Sequence, residues 1–563
     1  MDNLNSVRLN NSALVVYSLG SFVSLVFWLP HLDGFNIIKF SIVILLGFFA
    51  LLVSLFHWKE FVRLISSQRS IVLLSGLFIS WYVLASFLAQ NSWKALFGET
   101  SRYVGLISYL SCILVFLLLS ISRIQELHVV WLFKALSFVG VIEITYVIMQ
   151  LADIDPINWN TPYGRFIGTL GNSNFAGSFL SLCSVATLWL VINRFSKLST
   201  RVLWLLVIAS QQVAILIGGV RQGTLTALLG FGVIALYQIN IRYKGSRRVL
   251  YSSISLMSLG VFLLIAGMLQ KGPLTSLIYK SSVSIRGDYW RAALRMIQDS
   301  PIVGFGPGSY GDYFAEYRDM IQVERSGINV LADSAHNVFL DLSVSGGIPL
   351  ALIYFALIFL IAKKLINFSK TTDASNRSAI AALSALWVVC AAQAMISVEN
   401  LTFLIWNFII LGTLIGLDKR EEKIEKTRFK SPGMAVSLVI AGVLSIFLIQ
   451  PLWSADTTLK KLLSIPISKQ SEVRIERLNM AEKLVITNPE NSYYYQTAAT
   501  ALKNAGQIEA VNFAQKALEL NPRDVRSLRI LLQIYSSTND RVNFEKYRAI
   551  FDKLDPLITK VDP

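Results

Sequence analysis

The sequence predicts an all-α fold: a polytopic helical membrane protein of about 12–13 spans, with a large outer loop and a C-terminal helical-repeat domain. Three observations carry this expectation. Hydrophobic residues make up 54% of the 563 residues and charged residues only 15%, too apolar a balance for a soluble multidomain chain. Apolar runs of membrane-spanning length recur from residue 12 to residue 451, interrupted by one long polar interval at 281–349. From 471 onward, charged and apolar residues alternate with helical spacing, as in a domain that lies outside the bilayer.

Taken in order, the apolar runs lie near 12–30, 36–56, 70–89, 104–121, 128–151, 173–193, 202–218, 222–240 and 249–269, then near 349–366, 379–398, 401–417 and 433–451. Arg8 precedes the first run with no small-residue cleavage site, which reads as an uncleaved span rather than a signal peptide. With the N-terminus in the cytoplasm, Lys59, Arg63 and Arg69 fall inside, as do Arg194, Lys197 and Arg201. Arg242, Lys244, Arg247 and Arg248, Lys363, Lys364, Lys370 and Arg377, and the basic turn at 418–430 fall inside as well. The outer short loops keep chiefly Lys94, Arg102, Arg165 and Arg221. Such a bias encodes orientation, and it puts the interval 281–349 and everything after the last span outside. The net charge of +16 therefore reads as topology, and no nucleic-acid partner is expected. The domain division is a membrane domain at 1–451 that includes an outer loop at 270–348, a linker at 452–470, and repeats at 471–563.

The repeat expectation rests on Asn488-Pro489, Asn521-Pro522 and Asp555-Pro556, which recur at steps of 33 and 34 residues, the period of tetratricopeptide repeats. Ala510, Ala514 and Ala517 sit at small-residue packing positions before Pro522. So few repeats rarely stand alone, so this segment is expected to lean on the membrane domain or on a protein partner.

Several chemistries are absent from the sequence. There is no GxxxxGK[ST] loop for a nucleotide, and no HExxH or paired CxxC for zinc. Cys112, Cys183 and Cys390 are far apart inside apolar runs and suggest neither a metal site nor a disulfide. No cofactor and no metal are expected; the one contrary feature is the DxD-like pair Asp153 and Asp155 in an outer loop.

What remains is a set of ionisable residues at the outer ends of spans, where charge is costly enough to mark function. Arg221, in LIGGVRQGTLTALL, either snorkels to lipid headgroups or offers a fork of donors to a phosphate. Arg291 and Arg295 share a helix face in DYWRAALRM and Arg286 precedes it, a grouping suited to a diphosphate or to amphipathic headgroup binding. His336, one of four histidines, follows Asp333 and Ser334, either of which could cap a helix that carries it and keeps its imidazole neutral. The alternative is an interfacial histidine satisfied by backbone, the reading given to His31, His57 and His128 at span ends. Gly304, Gly306 and Gly308 permit tight turns and close backbone approach. GRFIGTLGNSNFAG places Arg165, Asn172 and Asn174 at the outer entrance of a span, as part of a site floor.

The segment RGDYWRAALRMIQDSPIVGFGPGSY, followed at an interval by AHNVFLDLSVSGGIPL, resembles the large periplasmic loop of the O-antigen ligase and polymerase superfamily. GRFIGTLGNSNFAG and GGVRQGTLTALL resemble that family's outer-face motifs, and the similarity covers residues 10–450. The resemblance implies a C-type glycosyltransferase-like enzyme of the bacterial cytoplasmic membrane, acting in cell-envelope polysaccharide biosynthesis. It would move a glycan from undecaprenyl diphosphate to an acceptor hydroxyl, by inversion and without a metal. Matched by position, Arg221 and Arg286 would hold the donor diphosphate with Arg291 in support, and His336 would be catalytic. The acceptor would be a glycolipid, a growing glycan, or a protein. The C-terminal repeats depart from the family's lipopolysaccharide ligases and add weight to a protein O-oligosaccharyltransferase. A transporter of glycolipid or anions is the distant alternative, disfavoured because the polar residues gather at one face rather than at the midplane.

Overall fold

The structure is a computed structural model; it describes all residues except 1, 160–163, 244–245, 269–272, 274–280, 372–373, 418–431, 469, 488–489 and 559–563. Lys244, the basic turn at 418–430 and Asn488-Pro489 lie outside the described residues, as do the side chains of Arg247 and Lys370. The chain is all α, with no strand among the described residues. Helices α1 (Asp2–Leu25), α2 (Asn36–Phe56), α3 (Trp58–Ser67), α4 (Arg69–Phe87), α5 (Ser92–Phe97), α6 (Leu106–Ile121) and α7 (Glu126–Leu151) open it. Then come α8 (Ser173–Asn193), α9 (Leu198–Ile217), α10 (Arg221–Arg242) and α11 (Arg247–Met268). The polar interval folds into α12 (Ser281–Asp299), α13 (Tyr310–Tyr317) and α14 (Met320–Ser326). After it follow α15 (Val338–Thr371), α16 (Ala374–Ile396), α17 (Leu401–Gly416) and α18 (Pro432–Ser464). The chain ends in α19 (Ser471–Thr487), α20 (Ser492–Asn504), α21 (Ala510–Leu520), α22 (Val525–Ser537) and α23 (Arg541–Leu554).

Among the described residues nine helices are long and apolar enough to cross a membrane, and Asn11–Leu25, α6 and α17 are shorter apolar helices beside them. The protein is thus a multi-pass helical membrane protein, and every expected apolar run falls on one of its helices. At its centre stands α17, buried at all sixteen positions. A helix that is apolar all round belongs inside a bundle, and Gly412 and Gly416 let its backbone approach Phe116 and Leu119 of α6. Around this pair pack α2 against α6, α18 against α2, α8 against α7 and α10, and α10 against α16.

Two departures from the sequence reading position the site. The span expected at 349–366 begins earlier, at Val338, and breaks at Gly346 and Gly347, where φ is +73° at Gly347. Only glycine tolerates that conformation. The carbonyl freed by the break accepts from Trp81 Nε1 at 2.7 Å, and the loop 301–306 pairs with it: Phe305 N–H to Val344 O, Gly306 N–H to Ser345 O and Ile348 N–H to Pro301 O at 2.8–2.9 Å. The second departure is α18, which runs on to Ser464 with Pro451 inside it, so most of the expected linker is helix. That extension carries Asp456 back to the α1–α2 turn, where its carboxylate accepts from Leu32 N–H at 2.6 Å.

Candidate active site

His336 sits in a knot of local hydrogen bonds. Helix α15 starts because the Asn337 side chain accepts from Phe339 N–H at 3.0 Å and Leu340 N–H at 3.2 Å, as a helix cap does. The cap is therefore Asn337, and neither Asp333 nor Ser334 plays that part. His336 stands before the helix with φ +59°, its N–H donating to Ser334 Oγ at 3.0 Å. Asp341, in the first turn, accepts from the Ser334 hydroxyl at 2.8 Å and from Ala335 N–H at 2.7 Å.

The imidazole Nδ1 lies 3.2 Å from the Ser334 carbonyl. A carbonyl can only accept, so Nδ1 carries the proton and Nε2 keeps its lone pair. The ring packs 5.2 Å from that of Tyr289. Burial, helped by the nearby Arg102 and Arg286 cations, lowers the His336 pKa to about 4. A neutral imidazole with its outer nitrogen free is the protonation state of a general base.

Charged groups surround it. Arg102 pairs with Asp333; burial pushes that carboxyl up, but Arg102 outweighs the effect and holds it below the usual carboxylate value. Arg286 donates to Gln222 Oε1 at 3.5 Å, and burial lowers its guanidinium from the ordinary value. Gln222 follows Arg221 at the start of α10, and its Nε2 is buried with no hydrogen-bond partner.

The remaining expected site residues have partners or backbone roles of their own. Arg291 is engaged by Asp288 at 2.7 Å and Asp319 at 2.8 Å, and Arg295 reaches the same Asp319; these carboxylates neutralise the shared helix face. Gly304 and Gly306, both at positive φ, bring the loop against the break in α15 and against Ala89, which is a backbone role. Asn172 caps α8, accepting from Asn174 N–H at 2.9 Å, and Arg165 is exposed. Asp155 is occupied by Tyr146, Gln150 and the N–H of Ile157. His57 bonds its own helix end and His128 closes the first turn of α7. His31 was read as satisfied by backbone at a span end, yet its Nδ1 lies 3.5 Å from Asp456 because α18 overruns the span.

His336, Asp333, Arg102 and Asn172 line a cavity of about 800 Å³, and residues of the C-terminal helices form its opposite wall: Tyr493 and Gln496 of α20, and Asn521, Arg523 and Arg526. Arg221, Arg286 and Arg291 do not line it. Lys94 ties three parts of the chain together, donating to Glu99 at 2.9 Å and to Asp312 at 2.7 Å, while Asn521 donates to the same Asp312 at 2.9 Å. Asn491 bonds Thr100 at 2.9 Å, and Arg523 lies 3.8 Å over the Tyr313 ring. Arg102 and Lys94 were among the outer-loop cations in the sequence; their acidic partners, Asp333 and Asp312, come from across the fold and gave no local signal.

The fold and this arrangement define a class: a polytopic helical membrane protein with a roofed polar cavity at one end of its bundle, holding a neutral histidine between guanidinium groups. Residues 204–355 match the family described as O-Antigen ligase (Wzy_C), which supports the ligase and polymerase superfamily and a membrane glycosyltransferase type of activity. No curated protein matches the chain.

Proposed function

We propose that the chain is an O-antigen ligase-like glycosyltransferase that moves a glycan from undecaprenyl diphosphate to an acceptor hydroxyl on the outer face of the bacterial cytoplasmic membrane. The observation that carries this reading is the His336 imidazole, its Nδ1 held by a carbonyl and its Nε2 free, at the wall of a cavity large enough for sugar rings. The acceptor oxygen attacks the anomeric carbon from the face opposite the diphosphate, its proton passes to His336 Nε2, and the bond from the anomeric carbon to the diphosphate oxygen breaks with its electron pair. Arg286 and Arg221, with the unpartnered Nε2 of Gln222, whose Oε1 Arg286 reaches, stabilise the charge on the departing diphosphate without a metal ion. Arg291 supports indirectly, fixing α12 to the start of α14 through Asp319. The expected charge bias puts the cavity and the C-terminal helices outside and the N-terminus in the cytoplasm. Polymerase and protein-directed transfer differ from this only in the acceptor, and the helices at 471–563 read as tetratricopeptide-like.

The test uses the full chain in nanodiscs with lipid-linked glycan extracted from a strain lacking it. His336→Ala is expected to lower transfer by about 10²–10⁴-fold with donor binding retained, and Arg286→Lys to weaken donor binding, since a point charge does not replace a fork. Transfer is expected to persist in EDTA. Full activity of His336→Ala would remove the base assignment, and loss of activity in EDTA would redirect attention to Asp153 and Asp155.

A further inference from the structure

One corner of the cavity is not used by that mechanism. Asp33 and Phe35 of the α1–α2 turn, Trp159, Asp456 of α18, and Tyr493 and Gln496 of α20 all line it. Asp456 is only 1% exposed. Its Oδ2 accepts from Leu32 N–H, while Oδ1 has no hydrogen-bond partner; Asp33 Oδ2 and His31 Nε2 are likewise buried and unpartnered. Two unsatisfied carboxylate oxygens on residues that line one corner are unusual, because a buried acceptor is costly unless something bonds it. The two carboxylates act on each other and on the Tyr493 hydroxyl, so these groups share one neighbourhood. Beside them Phe35 and Trp159 present rings 4.7 Å apart.

The chemistry of this corner selects its ligand. A pair of buried carboxylates repels phosphate. It also wants hydrogen-bond donors, and Lys460 already donates to the His31 carbonyl at 3.1 Å, which puts an ammonium beside any cation that entered. A pyranose ring offers several neutral hydroxyl donors on its edge and a C–H face that packs on aromatic rings. We propose that Asp33, Asp456, Trp159, Tyr493 and Gln496 form a subsite for a neutral sugar ring of the glycan handled at His336, so that the C-terminal helices contribute directly to glycan recognition. The identification of the ring as part of a transferred glycan rests on the reading above; the site itself rests on the corner.

The test measures binding to the full chain in nanodiscs with two probes: undecaprenyl diphosphate carrying no sugar, and the glycan released by mild acid from lipid-linked material of a strain lacking this chain. Wild type is expected to bind both. Gln496→Ala, Tyr493→Ala and Asp456→Asn are expected to weaken glycan binding about tenfold or more and to leave undecaprenyl diphosphate binding unchanged. Asp456→Asn also touches the Leu32 contact, so the two α20 variants, whose side chains are not needed there, decide the matter if it fails to fold. Glycan affinity unchanged in both α20 variants overturns the subsite. Binding of undecaprenyl diphosphate but not of glycan overturns the subsite and leaves the transferase reading standing; binding of glycan alone does the reverse. Preference for a lysine-rich peptide over the glycan also overturns it. Competition by intact lipid-linked donor supports the subsite and assigns it to the donor glycan, whereas glycan binding undiminished by donor supports it and assigns it to the acceptor.

Discussion

Replacing Asp555 by asparagine should undock the C-terminal helices from the membrane domain. Arg318, between α13 and α14, is fully buried, and its Nη2 donates to both oxygens of Asp555, which is also fully buried, at 2.7 and 2.8 Å. Arg529 reaches the same carboxylate at 3.2 Å, and Arg318 further donates to the Ile328 carbonyl at 2.8 Å. A neutral amide in place of that carboxylate would leave two arginines sharing a site with no counter-charge. Breaking a buried pair on one side costs about 3–5 kcal/mol, which corresponds to roughly a 10²–10⁴-fold rise in the opening equilibrium. Hydrogen exchange reads this directly: amides of α22 and α23 should exchange faster by about that factor, while those of the central α17 stay as they are. The triple variant Arg318→Met, Arg529→Met and Asp555→Leu, which removes both arginines with their shared carboxylate, should exchange closer to wild type than Asp555→Asn, since a buried ionic group is often replaced by apolar groups at little cost. If Asp555→Asn changed exchange in α22 and α23 by less than about threefold, the ion pair would not be what holds the roof down.

Two further predictions concern the site. In protein with labelled histidines, His336, assigned by loss of its signal in His336→Gln, should titrate near pH 4, and Arg102→Met should move that midpoint up toward the ordinary value because a neighbouring cation is removed; an unmoved midpoint would refute the placement of Arg102 beside the ring. Because the native value lies below the unfolded one, the unfolded chain binds the proton first, so His336 lowers stability as pH falls from about 6.5 to 4 and has no effect above that window. Gly347→Ala puts a side chain at φ +73° against the Ile302 carbonyl, whereas Gly327 at φ +91° faces open space. Both alanines cost backbone strain of about 1–3 kcal/mol, so thermal melting in detergent should show the larger loss at 347, with activity falling alongside as the loop 301–306 leaves its seat; equal losses at the two positions would refute the seating.

The membrane part of the fold was legible because lipid demands it: each span must be apolar along its whole length, so each of the expected runs marks a helix. Helix ends were less so. The sequence placed a linker after 451, but Asp456 and Leu459 are buried against the rest of the protein, and tertiary packing carried the helix on to Ser464. His336 was legible as a rare imidazole in a polar loop, with Asp333, Ser334 and Arg286 near it in sequence, but Arg102 beside it was not. Arg102 and Asp333 are 231 residues apart in the chain, and Arg318 and Asp555 are 237 apart; no local period links them. The partners of Arg291 were only half legible for the same reason: Asp288 stands three residues away, but Asp319 comes from beyond α13.

A base at a membrane surface faces a competing nucleophile in water itself, and this consideration joins the buried imidazole to the roof. The lowered pKa of His336 arises first from burial, and its cavity is closed on the far side by Tyr493, Gln496, Asn521 and Arg523. On the proposed reading, removing those residues would widen the opening of the cavity to water and expose a donor bound there to hydrolysis. The C-terminal helices therefore do more than extend the chain. By holding Asp312 through Asn521 and Arg318 through Asp555, they brace the segment that leads to His336, and on the proposed reading transfer to a hydroxyl rather than to water would depend on that clamp as well as on the base.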